Sequence, residues 1–589
     1  MRAQAVFTTL LVCAVGLFSK TNVVVFLTDD QGWGDLSLNG NTNLSTPNID
    51  SLAREGASFD RFYVCPVCSP TRAEFLTGRH HVRSGVYSTS AGGERMDLEE
   101  TTIADLFQQE GYATGAFGKW HNGMQYPYHP LGRGFDYFYG FCSGHWGHYY
   151  DALMERNGKL VQGRGFCVDD FTTEAMGFIE RSVKKDKPFF AYVPYNTPHS
   201  PMQVPDRWWK KFKDLNLEEM MRNRNPKKED RLHLLAALAM CENIDWNVGR
   251  LLKKLDELQV TDDTIVVFFH DNGPNGTRWN GDMEGRKGST EEGGTRSPLL
   301  IKWPNGIKPG TKVMPISSVR DLLPTLIELA GVKERSKKAI DGRSLKPLLS
   351  GKTKRWKSRT LVSTWKGKLG VRDQYFRLGY KGRLFDMEKD PGQRVDVSKQ
   401  FPDVAERLNQ RKQSFQKKVL EQAGPGTRPF IIGHPEVSWT QIPARDGTAH
   451  GTIKRSNKFP NCSYFTNWTS KEDFITWDVE VGESGNYEVE LWYACPEKDL
   501  GAEIELSCND KSVVTIIATP HDPPLVGKQE DRSPRMESYV KDFTPMKMGV
   551  IELTKGKGKL KLQAIEIPKS QAMEFRLIQL NRVKEKETD

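Results

Sequence analysis

Five apolar runs punctuate the first half of the chain, and they restrict its fold more than any other feature. Val23-Val24-Val25-Phe26-Leu27 is apolar at every position, as expected of a strand buried on both faces. Similar runs recur at Ala113 to Phe117, Pro188 to Val193, Thr264 to Phe269 and Pro298 to Ile301. Helical patterns lie between them. Thr46 to Glu55 has Thr46 as an N-cap and Pro47 at the first helical position, and Thr101 to Glu110 reads as a second helix. In Leu232 to Leu258, residues Leu234, Leu238, Cys241, Val248, Leu251, Leu255 and Leu258 recur at helical spacing. Strands alternating with helices predict a doubly wound α/β domain over residues 21–315.

The pattern changes from Ile316 onward. A helix opening at Asp321-Leu322-Leu323-Pro324, short strands around Thr360 to Val362 and Tyr375 to Leu378, and a helix from Val404 to Gln422 predict a small α+β subdomain over 316–425. Gly424-Pro425-Gly426-Thr427-Arg428-Pro429 reads as a linker. Residues 431–589 are strand-like throughout, with clear alternation in Tyr487-Glu488-Val489-Glu490-Leu491-Trp492-Tyr493, and predict an all-β sandwich. This part resembles the jelly-roll carbohydrate-binding modules of polysaccharide-degrading enzymes at the level of fold alone. Two readings stay open for it: a glycan-binding unit, or a support for the rest of the chain.

A chain of 589 residues with 37% hydrophobic and 27% charged residues is too long for one core and fits a globular protein of several units. Its net charge of +9 suits an anionic partner such as a sulfated polysaccharide, and equally a solvated basic surface. No nucleic-acid motif is present, and Arg222 to Arg231, with its interspersed acids and Asn, reads as an exposed loop. Nine cysteines do not make a disulfide scaffold, and Cys65-x-x-Cys68 has no second such pair to complete a metal site. A disulfide through Cys65 stays open. Met1-Arg2 followed by the apolar run Ala5 to Phe18 reads as a signal peptide over residues 1–20, which implies export to a periplasm or the outside. No other segment is apolar and long enough to cross a bilayer.

In open α/β sheets ligands bind beyond the carboxyl ends of the strands, so the residues following each run are the candidates for chemistry. Asp29-Asp30 follow the first, Gly118-Lys119-Trp120-His121 the second, Pro198-His199 the third and Asp271-Asn272-Gly273 the fourth. One Asp after a strand is ordinarily a cap or turn former. A set of Asp29, Asp30, Asp271 and Asn272 is different: all its donors are oxygen, which suits Ca²⁺, with Mg²⁺ as the alternative, rather than zinc.

Two longer motifs complete the pattern. Cys68-Ser69-Pro70-Thr71-Arg72 continues to Thr77-Gly78, with Pro70 placing Cys68 at a helix N-terminus whose free N–H groups attract an anion. Gly285-Arg286-Lys287-Gly288-Ser289-Thr290-Glu291-Glu292-Gly293-Gly294-Thr295-Arg296-Ser297-Pro298 is glycine-rich, allowing close backbone approach to a ligand. Together with the strand-end clusters and the turn Leu384-Phe385-Asp386-Met387-Glu388-Lys389-Asp390-Pro391, these motifs resemble the type I, formylglycine-dependent sulfatases over roughly residues 21 to 425. The resemblance implies the alkaline-phosphatase-like fold, with a mixed doubly wound sheet. It also implies oxidation of Cys68 to formylglycine by a formylglycine-generating or sulfatase-maturating enzyme. Metal ligation falls to Asp29, Asp30, Asp271, Asn272 and modified Cys68, and contacts to sulfate to Arg72, Lys119, His121, His199 and Lys287. Ser143 or His145 falls near the sulfate by family position. His270 and Asn122 stand where many members have Ser and Leu, and neither change removes a catalytic group.

The implied reaction is hydrolysis of a sulfate monoester of a sulfated carbohydrate or an aryl alcohol. A hydroxyl of the hydrated aldehyde attacks sulfur, His199 or Lys287 protonates the leaving oxygen, and His121 assists loss of the second hydroxyl proton. The rival readings are phosphate or phosphonate ester hydrolysis on the same fold and a catalytically silent glycan-binding protein. Phe141-Cys142-Ser143-Gly144-His145-Trp146-Gly147-His148-Tyr149-Tyr150-Asp151 either lines a sugar pocket or is a packed loop.

Overall fold

In a computed structural model, which describes residues 20–352, 356–421, 423 and 428–583, the apolar runs become the middle of a ten-stranded sheet. The stretch 1–20, expected as a signal peptide, lies, but for Lys20, outside the described residues, as does most of the stretch 424–429 expected as a linker. In chain order the strands are β1 (Asn22–Thr28), β2 (Ala57–Phe59), β3 (Ala113–Lys119), β4 (Tyr137–Phe141), β5 (Leu153–Arg156), β6 (Lys159–Gln162), β7 (Phe189–Pro194), β8 (Thr264–His270), β9 (Leu299–Lys302) and β10 (Thr311–Val313). Across the sheet they run β10-β2-β9-β8-β1-β7-β3-β4-β5-β6. β4, β3, β7, β1 and β8 are mutually parallel, and β9 turns antiparallel against β8, which makes the sheet mixed.

The alternation of β1 explains the two helical layers. Val23, Val25 and Leu27 face one core with the helices α2 (Cys68–Thr77) and α3 (Ile103–Gln109) and with Leu322–Ala330. Val24 and Phe26 face the other, with α1 (Pro47–Arg54), α4 (Cys167–Lys184) and α5 (Arg231–Glu257). A strand covered on both sides needs apolar residues at every position, so the run that looked least patterned is the most central. The result is a mixed, doubly wound sheet with further all-β sheets beyond it.

After the helix Leu322–Ala330, a four-stranded antiparallel sheet packs against the helix Pro402–Phe415, which ends in a π-turn at Gln416–Leu420 short of the expected Gln422. Residues 430–582 form two six-stranded sheets whose inner faces share one core, with Ile475, Trp477, Ile504 and Leu560 from one sheet meeting Tyr487, Val489, Leu491 and Ile578 from the other. Strand Thr544–Leu553 starts at Thr544 rather than the expected Val550, because exposed Pro545, Lys547 and Gly549 interrupt its apolar pattern. All eight cysteines of the described residues are buried, unpaired thiols, Cys65 among them. No helix of the described residues is long and apolar enough to cross a membrane.

Candidate active site

Because β1, β3, β7 and β8 are parallel neighbours, their carboxyl ends open onto one edge, and the residues that follow them converge there. Asp29 and Asp30 leave β1, with Asp30 at a positive φ of 65°. The Asp30 N–H donates to Asp271 Oδ1 at 3.1 Å, tying the end of β1 to the end of β8. Asn272 Nδ2 donates to Asp30 Oδ1 at 2.9 Å. Lys119, the last residue of β3, reaches Asp29 Oδ2 at 2.5 Å, and both side chains are buried. His121 also sits at positive φ (65°), a conformation that costs a non-glycine residue of order 1 kcal/mol and marks a backbone held by its surroundings.

Cys68 is the first residue of α2, after an extended Val67 that offers no side-chain cap. The free N–H groups of that first turn therefore remain open to an anion. Thr71 fixes the helix to the sheet by donating to the Asp271 carbonyl at 2.6 Å and accepting from the Cys65 N–H at 2.9 Å. Asn122 ties the same turn to the His121 loop through Ser69 Oγ at 3.2 Å. Arg72, fully buried, places Nη2 3.0 Å from Asp271 Oδ2 and donates from Nη1 to the Lys119 carbonyl at 2.8 Å. The glycine-rich segment arrives through Gly288, whose N–H donates to the Pro66 carbonyl at 2.7 Å. That contact brings Lys287 to Asp30, Nζ to Oδ1 2.7 Å. A Cβ at Gly273 would stand 2.0 Å from the Gly293 carbonyl oxygen, so glycine is required for this approach.

The residues expected as metal ligands thus come together with Arg72, Lys119, Lys287 and His199. Sγ of Cys68 and carboxylate oxygens of Asp29 and Asp271 lie within 4.8 Å of one another, as do ligand atoms of Asp29, Asp30 and His199. Three buried carboxylates share this space. Burial opposes ionisation of Asp29, but Lys119, His199 and Arg72 hold its carboxyl well below the usual range. Asp271 goes the other way: burial and the neighbouring Asp29 charge push it up to about 8. Asp29 Oδ1 and Asn272 Oδ1 are buried without a hydrogen-bond partner. Unpartnered oxygens beside a carboxyl that resists ionisation fit a hard divalent cation. Cys68 itself is a poor nucleophile as a thiol, because burial pushes its pKa up to about 12 against the pull of Lys119 and Lys287.

The two expected histidines are set differently. His121 Nε2 lies 2.9 Å from the Thr89 carbonyl, which can only accept, so Nε2 carries the proton and the unpartnered Nδ1 is the basic atom. Burial, and then Lys119, hold this ring well below its ordinary pKa. His199 uses Nδ1 on the Ser200 carbonyl at 2.7 Å, leaving Nε2 3.6 Å from Asp30 Oδ2.

Ser143 and His145 lie where the catalytic unit meets the sandwich. Ser143 Oγ donates to the Asn461 carbonyl at 2.8 Å and accepts from Arg445 at 2.9 Å. His145 is buried with neither ring nitrogen partnered. Glu537, from the far end of the chain, was not expected here, yet its carboxylate lies within 4.8 Å of ring nitrogens of His145 and His199. No motif marks it, and only the tertiary fold carries residues 517–543 back across the catalytic unit.

Residues 21–332 match the model of the sulfatase family, and residues 287–418 match the C-terminal model of N-sulphoglucosamine sulphohydrolase. The chain is 32% identical over 370 residues to mouse N-acetylgalactosamine-6-sulfatase, covering 57% of this chain and 67% of the relative. It is 28% identical over 437 residues to human steryl-sulfatase, covering 57% and 71%. Among solved structures, Ps i-CgsB in complex with k-i-k-neocarrahexaose superposes with a TM-score of 0.61 at 29% identity, covering 67% of this chain and 92% of that one.

Proposed function

The chain belongs to the sulfatase family and is a sulfuric ester hydrolase, and on that premise we propose that it removes sulfate from a sulfated carbohydrate by means of a formylglycine made from Cys68. The observation that carries this reading is the convergence of four strand ends on Cys68 at an uncapped helix N-terminus, a setting suited to an anionic ester and a cation together. A sugar rather than a simple aryl sulfate is supported by a relative named N-acetylgalactosamine-6-sulfatase and a structural neighbour solved with k-i-k-neocarrahexaose.

Asp29, Asp30, Asp271, Asn272 and modified Cys68 would hold the divalent cation, Ca²⁺ or Mg²⁺, which when bound supplies Lewis acidity to oxygens at the reacting centre. Oxidation of Cys68 by a formylglycine-generating or sulfatase-maturating enzyme replaces an unreactive buried thiol by an aldehyde whose hydrate is a nucleophile with an exit, since the aldehyde re-forms when sulfate leaves. Arg72, Lys119 and Lys287 put three fixed positive charges around the sulfuryl oxygens and stabilise the charge that builds there. His199, with its Nδ1 proton held on a carbonyl, presents Nε2 to the ester and donates from Nε2 in the doubly protonated ring, with Lys287 the alternative donor. His121 accepts a proton at Nδ1. Residues 21–315 form the catalytic unit and 316–425 its subdomain, 431–589 are a sandwich with a role in substrate binding, and the first twenty residues direct export.

The test is sulfate release, by ion chromatography, from a panel of monosulfated sugars and aryl sulfates alongside phosphate monoesters, using matured enzyme with added Ca²⁺. Turnover of sulfated sugars above the aryl sulfates supports the reading. Faster hydrolysis of the phosphate esters would replace it with the phosphatase alternative.

A further inference from the structure

The stretch 517–543, between strands Lys511–Ile516 and Thr544–Leu553, leaves the sandwich and runs along the catalytic unit. Gln203 and Asp531 pair as a β-bridge, and Gln203 Nε2 donates to the Gly527 carbonyl at 2.8 Å. Arg532 donates to the Val204 carbonyl at 3.0 Å, and Arg535, held by Asp531, donates to the Gly147 carbonyl at 2.5 Å. The residues flanking Glu537 are pinned to the sandwich: the Met536 carbonyl accepts from Asn457 at 2.8 Å, and Ser538 Oγ shares a hydrogen bond with Ser456 Oγ at 2.7 Å. Glu537 is therefore fixed on both sides. Ser200 Oγ donates to its Oε1 at 2.5 Å.

Beyond it stand His145 and His199, and His199 belongs at the same time to the group formed with Asp29 and Asp30. The group that donates to the leaving oxygen is thus also the neighbour of a carboxylate supplied by the sandwich. We infer that the sandwich forms one wall of the substrate subsite, where Glu537 selects a sugar whose substituent beside the sulfate ester is a hydrogen-bond donor, a hydroxyl or an amine, and rejects a second anion. This inference rests on the sulfated-carbohydrate reading. Burial opposes ionisation of Glu537, but the neighbouring His145 and His199 and the Ser200 hydroxyl hold its carboxyl below the usual carboxylate range, which makes this wall acidic. Buried with neither ring nitrogen partnered, His145 completes the subsite as a polar group beside Glu537. A donor on the sugar meets an ionised acceptor, whereas a second sulfate or a carboxylate there meets a like charge in a poorly solvated place.

The experiment compares kcat/KM for a monosulfated hexosamine with that for the same sugar carrying a second sulfate on the neighbouring hydroxyl, using matured, Ca²⁺-loaded enzyme. The wild type is expected to favour the monosulfated sugar by on the order of 100-fold. Glu537→Gln, which keeps the size and a bond to Ser200, should lower kcat/KM on the monosulfated sugar by about tenfold and raise it on the disulfated one, collapsing the preference. Glu537→Asp, which keeps the charge, should retain the preference even if its overall rate falls. If Glu537→Gln slows both sugars alike, or lowers the melting temperature with the ratio unchanged, Glu537 is only an interdomain contact and the inference is overturned. If the wild type hydrolyses neither sugar and turns over only non-carbohydrate esters, the carbohydrate reading fails and takes this inference with it.

Discussion

Arg72 Nη2 stands 3.0 Å from Asp271 Oδ2 with neither side chain exposed, Arg72 in the second turn of the Cys68 helix and Asp271 just past the end of a sheet strand. The pair joins the Cys68 helix to the strand-end cluster, so it serves stability and site geometry together. Arg72→Met should leave Asp271 without its nearest positive partner in a buried place. The expected cost is about 1–3 kcal/mol for the buried hydrogen bonds lost, read by denaturant unfolding, with sulfate release lost. A variant of wild-type stability would mean that Asp271 is solvated in ways this geometry denies.

Gly144 stands where the sandwich meets the catalytic unit: a Cβ there would lie 2.1 Å from His121 Nε2 and 2.8 Å from Asn461 Nδ2. Gly144→Ala should displace His121 from the Thr89 carbonyl and lower kcat by about tenfold or more, because a small misplacement of an acid–base group is felt strongly in rate. The rate should fall more than KM rises. An unchanged kcat would show that the His121 contact is not used in turnover.

The unpartnered oxygens of Asp29 and Asn272 predict that the folded protein binds a divalent cation. Chelation should abolish activity and lower the melting temperature, and Ca²⁺ or Mg²⁺ at about 100 times its Kd should restore about 2.7 kcal/mol of stability. Identical melting curves with chelator and with either ion would contradict cation binding at this cluster.

In protein made without the maturation step and kept free of metal, Cys68 has a thiol pKa pushed up to about 12. A raised thiol pKa means less thiolate at every lower pH, about one part in ten thousand at pH 8, and the thiolate is the reacting form. Iodoacetamide at pH 8 should leave Cys68 unlabelled in the native chain and label it after denaturation, as peptide mapping would show. Rapid native labelling would mean that Lys119 and Lys287 lower the pKa more than burial raises it.

The core of the fold and most of the site were legible in the sequence for one physical reason. A parallel sheet needs unbroken apolar strands, and its ligand groups must follow their ends, so Val23 to Leu27 located Asp29 and Asp30 together. The edge was less legible: β5 and β6 are short and partly exposed, so Lys159–Gln162 shows no apolar run, and α4 begins at Cys167 without a side-chain cap. Glu537 could not be read at all. Its setting depends on Ser200, Gln203 and Asn457, which lie far from it in sequence and meet its stretch only when the sandwich packs on the rest of the chain.

The most direct test of the account is the mass of the peptide containing residue 68, taken from enzyme that is turning over a sulfate ester. The account predicts that active chains carry an aldehyde in place of the Cys68 thiol and that activity scales with the converted fraction. Full activity in chains whose Cys68 is an intact thiol would contradict it.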